Sequence, residues 1–363
     1  MRFNRPVGSP YSPEQPPKRI LVIRLGAVGD LVRTLPAVLS LRETWPDAEI
    51  AWAVEQHVAP LIEGHPCIDK LIIINRDNLL AEARRFRPKA LSRIIRFGRE
   101  VREFAPDLSI DFQGCFKSGL ASALSRAPVR IGFDREHVRE WSHLFANVRL
   151  PLAKADQHRV RRALALARGA GAREVNISAD LALTQEERQT ARDFLKEIAH
   201  GRAVVAVAPF SSDRQAWKRY PRDSWCEVVR GLALQGYVVL LLAGPGEEEE
   251  SREIAKQVGP GVVPTQGVGL RNLAALLEEC ELLVGGDTGP MHLAWGVGTP
   301  VVALYGPTDP ALNAPVGDGH ILLHPERRTC RDDADRFPGI TPQRVLSEAL
   351  GLLSARVSCA SVK

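Results

Sequence analysis

The chain has no apolar run long enough to cross a membrane as a helix: its longest, Tyr237 to Ala243, falls far short of the roughly 18 residues a span needs. A transmembrane anchor is excluded on that ground. Paired cysteines are also missing. Cys67, Cys115, Cys226, Cys280, Cys330 and Cys359 lie far apart with no C-x-x-C, several of them inside apolar periodic segments. That pattern suits the reduced core thiols of a cytosolic protein better than a disulfide framework or a zinc site. Residues 1–17 carry five prolines and no apolar stretch, so they read as a flexible tail rather than a signal peptide. There is no short-period repeat, which excludes a solenoid. There is no G-x-G-x-x-G either, which weakens a dinucleotide-binding reading.

What is present is an ordinary globular composition. With 363 residues, 45% hydrophobic and 25% charged, the chain exceeds what one core usually organises, and two domains are expected. The net charge of +5 is compatible with an anionic partner. Its distribution says more: between Arg76 and Arg102 nine basic residues face three acidic ones. That segment is either a solvated helix face or a surface for phosphorylated lipid or sugar acid, with Arg84, Arg85, Arg93 and Arg96 as candidates.

Short apolar runs alternate with longer amphipathic stretches, the signature of parallel strands with crossover helices, and the pattern occurs twice. In the first half the strands are expected at 19–24, 49–54, 70–74 and 108–111, with helices at 30–45, 90–104 and 118–125. In the second half strands are expected at 203–208, 238–243, 281–284 and 301–304, with helices at 222–235, 247–258, 271–279 and 290–297. Thr184 with Glu187 three residues on forms a capping box that opens a helix at the boundary between halves. The expected division is a tail at 1–17, a first Rossmann-like domain at 18–183, an interdomain helix at 184–200, a second Rossmann-like domain at 201–340 and a terminal helix and tail at 341–363.

Four segments can carry chemistry. Arg24-Leu25-Gly26-Ala27-Val28-Gly29-Asp30 follows the first strand, and its two glycines let the backbone approach a ligand at the start of a helix. Asp30, at or near the N-cap, is either a cap worth about 1 kcal/mol or a base poised to take a proton from an acceptor hydroxyl; both can hold. Val284 to His292 is again a strand running into a helix, with Pro290 suited to the first turn and Asp287 or Thr288 able to cap. A diphosphate fits such a place, whereas His292 taken alone is more often a packed helix histidine than a ligand contact. Pro209 to Pro221 occupies the loop after the second half's first strand. There the Ser211 and Ser212 hydroxyls can meet phosphate oxygens, and Lys218 can neutralise a departing diphosphate. The acids after Gly246 suit a helix's first turn, and Glu247 among them can accept from a ribose. For metals the sequence offers only Asp333-Ala334-Asp335, in a charged stretch of weak periodicity.

Taken together, Ile23 to Leu31, Asp111-Phe112-Gln113-Gly114-Cys115-Phe116-Lys117-Ser118, Arg130 to Arg135 with Arg139-Glu140, Gly286 to His292 and Tyr305 to Pro310 resemble glycosyltransferase family 9. These are the ADP-heptose-dependent lipopolysaccharide heptosyltransferases. The resemblance implies an α/β GT-B fold, two Rossmann-like domains with parallel sheets facing across a cleft that closes on substrate. It also implies an inverting transfer with no essential divalent metal and no cofactor. Asp30 matches the family's proposed general base, and Lys218 its diphosphate lysine. Asp287, Thr288, Gly289 and His292 match its donor motif, with Ser211, Ser212 and Glu247 at further donor positions. Gly29 and Lys117 would lie toward the acceptor. Trp52-Ala53-Val54-Glu55 and the Asp111–Ser118 stretch stand closer to members acting on Kdo-lipid A. The cysteine cluster many members carry near the C-terminus is reduced here to Cys330. The implied partners are ADP-heptose, an anionic Kdo-lipid A acceptor and the cytoplasmic face of the inner membrane, held peripherally; nucleic acid is not among them. The alternatives are a nucleotide-sugar epimerase, a transferase of another sugar, or a non-catalytic nucleotide-sugar-binding module.

Overall fold

A computed structural model of the chain describes residues 10–12, 15–75, 88–173 and 177–360. The chain divides into two compact units, Met1–Ala182 and Leu183–Lys363. The first holds strands β1 (Arg19–Ile23), β2 (Glu49–Glu55), β3 (Lys70–Ile74), β4 (Leu108–Asp111), β5 (Val129–Phe133) and β6 (Val148–Leu150), in the spatial order β3-β2-β1-β4-β5-β6. All of these pairs are parallel. Helices α1 (Val28–Thr44), α2 (Pro88–Glu103), α3 (Phe116–Ser125) and α4 (Arg159–Ala170) belong to the same unit. Its β1 is wholly apolar after Arg19, and Ile20 to Ile23 are sealed from solvent, as a strand covered on both faces must be.

The second unit repeats the plan. Strands β7 (Val204–Ala208), β8 (Val238–Leu241), β9 (Val262–Pro264), β10 (Leu282–Gly286), β11 (Val301–Leu304) and β12 (Ile321–Leu323) run in the order β12-β11-β10-β7-β8-β9, again parallel throughout. Helices α5 (Gln185–Ala199), α6 (Arg222–Leu234), α7 (Glu248–Val258), α8 (Leu270–Glu278), α9 (Gly289–Gly296) and α10 (Pro342–Ala360) accompany it. Val205, Val207, Trp225, Leu241, Val284 and Val345 lie in one core cluster, which joins the sheet to α6 and the terminal helix. In each unit the strand order reverses direction once, between β1 and β4 and between β7 and β10. Ligands of open α/β sheets settle beyond the carboxyl ends of the strands at that switch point.

Three expectations are corrected. The tail is not loose in its described part: the Tyr11 hydroxyl donates to the Asp107 carbonyl at 3.1 Å, and the Trp45 indole donates to the Ser12 carbonyl at 3.1 Å. The Tyr11 ring also meets Trp45 edge-on, because an amphipathic aromatic brings apolar area and a polar tip that proline counting overlooks. The helix read as an interdomain linker is part of the second unit. Its capping box forms, with Glu187 N–H donating to Thr184 Oγ1 at 3.2 Å and Thr184 N–H to Glu187 Oε2 at 2.7 Å, and Arg188 is paired with Glu278 on α8. Finally, β5, β6, β9, β12 and α4 lie where the periodicity gave no strand or helix. The charge that disguised β5 is tied down: Arg130 Nε donates to the Phe145 carbonyl and Nη1 to the Ala127 carbonyl.

Candidate active site

In the first unit, β1 ends at Ile23 and the chain turns into α1 through Arg24 to Ala27. Asp30 is the third residue of α1 and the N-cap is Ala27, so the aspartate expected at or near the N-cap stands in the first turn and reaches back, accepting from the Ala27 N–H at 3.3 Å. Its carboxylate is gripped from two sides. Arg24 Nη2 lies 2.6 Å from Oδ2 and Arg33 Nη2 lies 2.6 Å from Oδ1. Burial alone would push the Asp30 carboxyl up; Arg24 and Arg33, with Arg159 behind them, overcome it and hold the group well below the usual carboxylate range. Gly29, the preceding residue, is buried within the same turn.

Around Asp30 opens a cavity of about 410 Å³ whose wall includes Arg24, Arg33, Arg139, Arg159 and Arg162. Five guanidiniums against two carboxylates, Asp30 and Glu136, leave a net electropositive concavity. Burial first, then the neighbouring Arg159, Arg24 and Arg139, bring the Arg162 guanidinium down to about 10. Arg162 is nonetheless supported, donating to the His137 carbonyl and lying over the Phe133 ring. Arg24 is buried and donates to the Phe112 carbonyl at 2.6 Å. The turn after β4 is shaped by Asp111, whose carboxylate accepts from the Gln113 and Gly114 N–H groups, while Gln113 Oε1 accepts from the Leu25 N–H at 2.8 Å. The Asp-Phe-Gln-Gly stretch therefore fastens the β4 end to the β1 end.

Sequence reasoning found Asp30, with Arg24 and Arg139 inside the motifs it quoted, but not Arg33, Arg159 or Arg162. Arg159 and Arg162 stand one helical turn apart on α4, an element that was not expected, and Arg33 stands three residues after Asp30, so only i, i+3 spacing on helices could have signalled them. Lys117 is exposed on α3 and is not part of the cavity wall. Arg93 is half-buried and Arg96 exposed on α2, and neither lines the cavity. Arg84 and Arg85 lie outside the described residues.

In the second unit, the ends of β7 and β10 bring the remaining candidates together. Lys218 Nζ donates to Asp287 Oδ2 at 3.1 Å and to the Asp287 carbonyl at 3.2 Å, and the other oxygen of that buried carboxylate lies 3.4 Å from His292 Nε2. Asp287 thus orients both a lysine and a histidine. The Lys218 ammonium also lies 5.5 Å from the centre of the Trp217 ring. Thr288 is the N-cap of α9 and Gly289 its first residue. Pro290 has no N–H, so the first turn offers the N–H groups of Gly289 and Met291 to an anion. Gly285 in β10 is closely packed, since a Cβ there would lie 3.0 Å from that of Ala208 on β7.

Ser211 and Glu247 are engaged within the protein itself. Ser211 is buried and its hydroxyl donates to the Gln215 carbonyl at 2.9 Å, whereas Ser212 is exposed. Glu247 is the N-cap of α7 and accepts from the Gly244 N–H at 2.8 Å. Burial raises its carboxyl against the lowering pull of that bond and of Arg219. Asp333 and Asp335 accept from the Cys330 and Phe337 N–H groups, the work of turn carboxylates. Among the described residues, no group of three or more His, Cys, Asp or Glu is arranged to hold a metal ion, and no helix is long and apolar enough to cross a membrane.

Comparison with known proteins bears on the fold and the family. The chain is 28% identical to lipopolysaccharide heptosyltransferase 1 of Escherichia coli K12 over 92% of its own length and 100% of that protein's. It is 27% identical to the Pseudomonas aeruginosa protein of the same name over 93% of the chain and 98% of the relative. Among solved structures, E. coli heptosyltransferase WaaC with ADP-2-deoxy-2-fluoro heptose superposes with a TM-score of 0.73 at 25% identity, covering 92% of this chain and 99% of that one. E. coli ADP-heptose lps heptosyltransferase II superposes with a TM-score of 0.74 at 23% identity, covering 93% and 99%. The fold is therefore the GT-B fold of those enzymes. The family described as Glycosyltransferase family 9 (heptosyltransferase) matches residues 94–340, and the chain belongs to it.

Proposed function

We propose that this heptosyltransferase moves heptose from ADP-heptose onto the Kdo-lipid A inner core of lipopolysaccharide, with inversion at the anomeric carbon. The observation that carries the reading is the cavity ringed by Arg24, Arg33, Arg139, Arg159 and Arg162 around Asp30. An acceptor rich in carboxylate and phosphate complements such a wall, and a neutral sugar does not. In the proposed step an acceptor hydroxyl oxygen attacks the anomeric carbon, the bond from that carbon to the diphosphate oxygen breaks, and its electron pair leaves with ADP. Asp30 receives the hydroxyl proton. A carboxylate clasped by two arginines is a weak base. The acceptor's own anionic group therefore has a second effect, since by drawing Arg33 and Arg24 toward itself it restores basicity to Asp30.

On the donor, Lys218, held by Asp287, and the first turn of α9 meet the diphosphate and stabilise the charge that grows on it as it leaves. With that positive charge supplied by the protein, no divalent metal is expected to be essential, and transfer should persist in a chelator. Ser212 and Glu247 are proposed to contact phosphate and ribose. The chain is expected on the cytoplasmic face of the inner membrane, held peripherally. The test is incubation of purified protein with ADP-heptose and Kdo-lipid A, read by mass spectrometry. A product heavier by one heptose is expected, with ADP-heptose unchanged when the acceptor is withheld. Donor altered without acceptor would mark an epimerase, and donor bound but never consumed would mark a binding module.

A further inference from the structure

Among the described residues, the large apolar side chains exposed elsewhere stand singly or, at Ile94 and Ile95, as a pair on α2. One group is larger. Trp141 is 63% exposed, Leu144 62% and Phe116 48%, and the three belong to one surface. Leu144 N–H donates to the Trp141 carbonyl at 3.0 Å, so both sit on a single turn. Phe116 N–H donates to Glu140 Oε2 at 3.2 Å, and the Phe116 ring packs edge-on against Phe145 of that same segment at 5.5 Å.

The backbone is held in an unfavourable shape to present them. Glu140 (φ 53°) and Trp141 (φ 63°) are consecutive left-handed residues, neither of them glycine. Such conformations cost about 1–3 kcal/mol each and persist where the surroundings enforce them. Here Ser142 and His143 are buried behind the turn while the indole is turned outward. The Arg135 guanidinium lies over that indole, 5.4 Å from the ring centre. Outside the cavity wall, Lys117, Arg126, Arg135 and Arg149 of this stretch are exposed cations, and Glu140 is already engaged with Phe116. The segment is continuous with the acceptor cavity, since Cys115 and Glu136 to Arg139 line both its edge and the cavity wall.

We infer that Trp141, Leu144 and Phe116 form a wedge that docks the first unit on the surface of an anionic lipid bilayer. The inference rests on the reading of a lipid-borne acceptor given above. A tryptophan stacked with arginine, beside an exposed leucine, suits the zone between headgroups and acyl chains, and the neighbouring cations suit anionic headgroups. Three side chains are too few for a stable dimer, which needs about 20–30 residues on each side.

The experiment is co-sedimentation of the full chain with vesicles of phosphatidylethanolamine and phosphatidylglycerol, and with phosphatidylcholine vesicles, in the absence of donor and acceptor. The parent chain should bind the anionic vesicles preferentially. W141S/L144S should lower that binding about tenfold or more, from the apolar area no longer inserted, while transfer to an acceptor freed of its acyl chains keeps its rate. L144E alone should give a loss in the same direction, and both changes are at exposed positions. Equal sedimentation of parent and variants, or equal binding to phosphatidylcholine, overturns the inference. So does a parent dimer that W141S/L144S converts to a monomer, which would make a second copy the occupant. Because vesicle binding is read without substrates, its failure is distinct from a failure of heptose transfer.

Discussion

The two units share one strand order, yet the ends of their central strands are furnished in opposite ways. Beyond β1 and β4, an aspartate is surrounded by arginines on α1, α4 and the loops, and the cavity is built from long cationic side chains. Beyond β7 and β10, a lysine is pinned by an aspartate next to a helix start rich in small residues. The lesson is that the switch point of the sheet fixes where a ligand goes, whereas the side chains on its rim choose which ligand. Guanidiniums suit planar carboxylates and phosphates on a bulky acceptor. Backbone N–H groups with a single ammonium suit a diphosphate that must be released.

Removing the central acid should have the largest effect. Asp30→Asn is expected to cut transfer by about 10²–10⁴-fold with ADP affinity unchanged, measured by turnover alongside calorimetric titration; near-normal turnover would take Asp30 out of its role. Next in size is Lys218→Ala, expected to lower turnover about 10²-fold and to weaken ADP binding as well. That mixture separates it from the Asp30 variant, and a variant with full ADP affinity would blur the contrast between the two regions.

A smaller effect sharpens the electrostatic difference. A base acts when ionised, and Arg24 and Arg33 outweigh burial to hold the Asp30 carboxyl low, so kcat/KM should show no acid limb from this group within the ordinary carboxylate range. Arg33→Gln raises that pKa, and the acid limb should then move upward in pH; an unmoved profile would deny the coupling. The smallest effect lies away from both sites. Glu187 is brought down to about 2, first by its hydrogen bond from Arg271, with burial opposing and the Thr184 N–H assisting. Its folded pKa is depressed, so the stability it contributes is present above its ordinary value of 4.5 and is lost as pH falls toward about 2. Glu187→Gln should cost about 1–2 kcal/mol near neutrality, and the gap to the parent in urea unfolding should close as the solution is acidified.

Much of this was legible beforehand because it depends on local patterns. Buried parallel strands such as Val204 to Ala208 are apolar runs, and Thr184 with Glu187 is a cap written in two letters. The family resemblance, too, rested on contiguous motifs around Asp30 and Asp287, and the family match agrees with it. What stayed hidden depends on contacts distant in sequence. The arginines of α4 carry no signal in the sequence until the fold brings them beside Asp30, and β5 was masked by an arginine that carbonyls absorb. Tyr11 was lost among prolines for the same reason, since its partners Trp45 and Asp107 are far along the chain.

The division of labour between the regions is tested most directly by Arg159→Gln/Arg162→Gln, assayed for the acceptor KM and for the ADP Kd. The geometry predicts an acceptor KM raised about tenfold or more with the ADP Kd unchanged. An unaltered acceptor KM, or a loss confined to ADP binding, would contradict it.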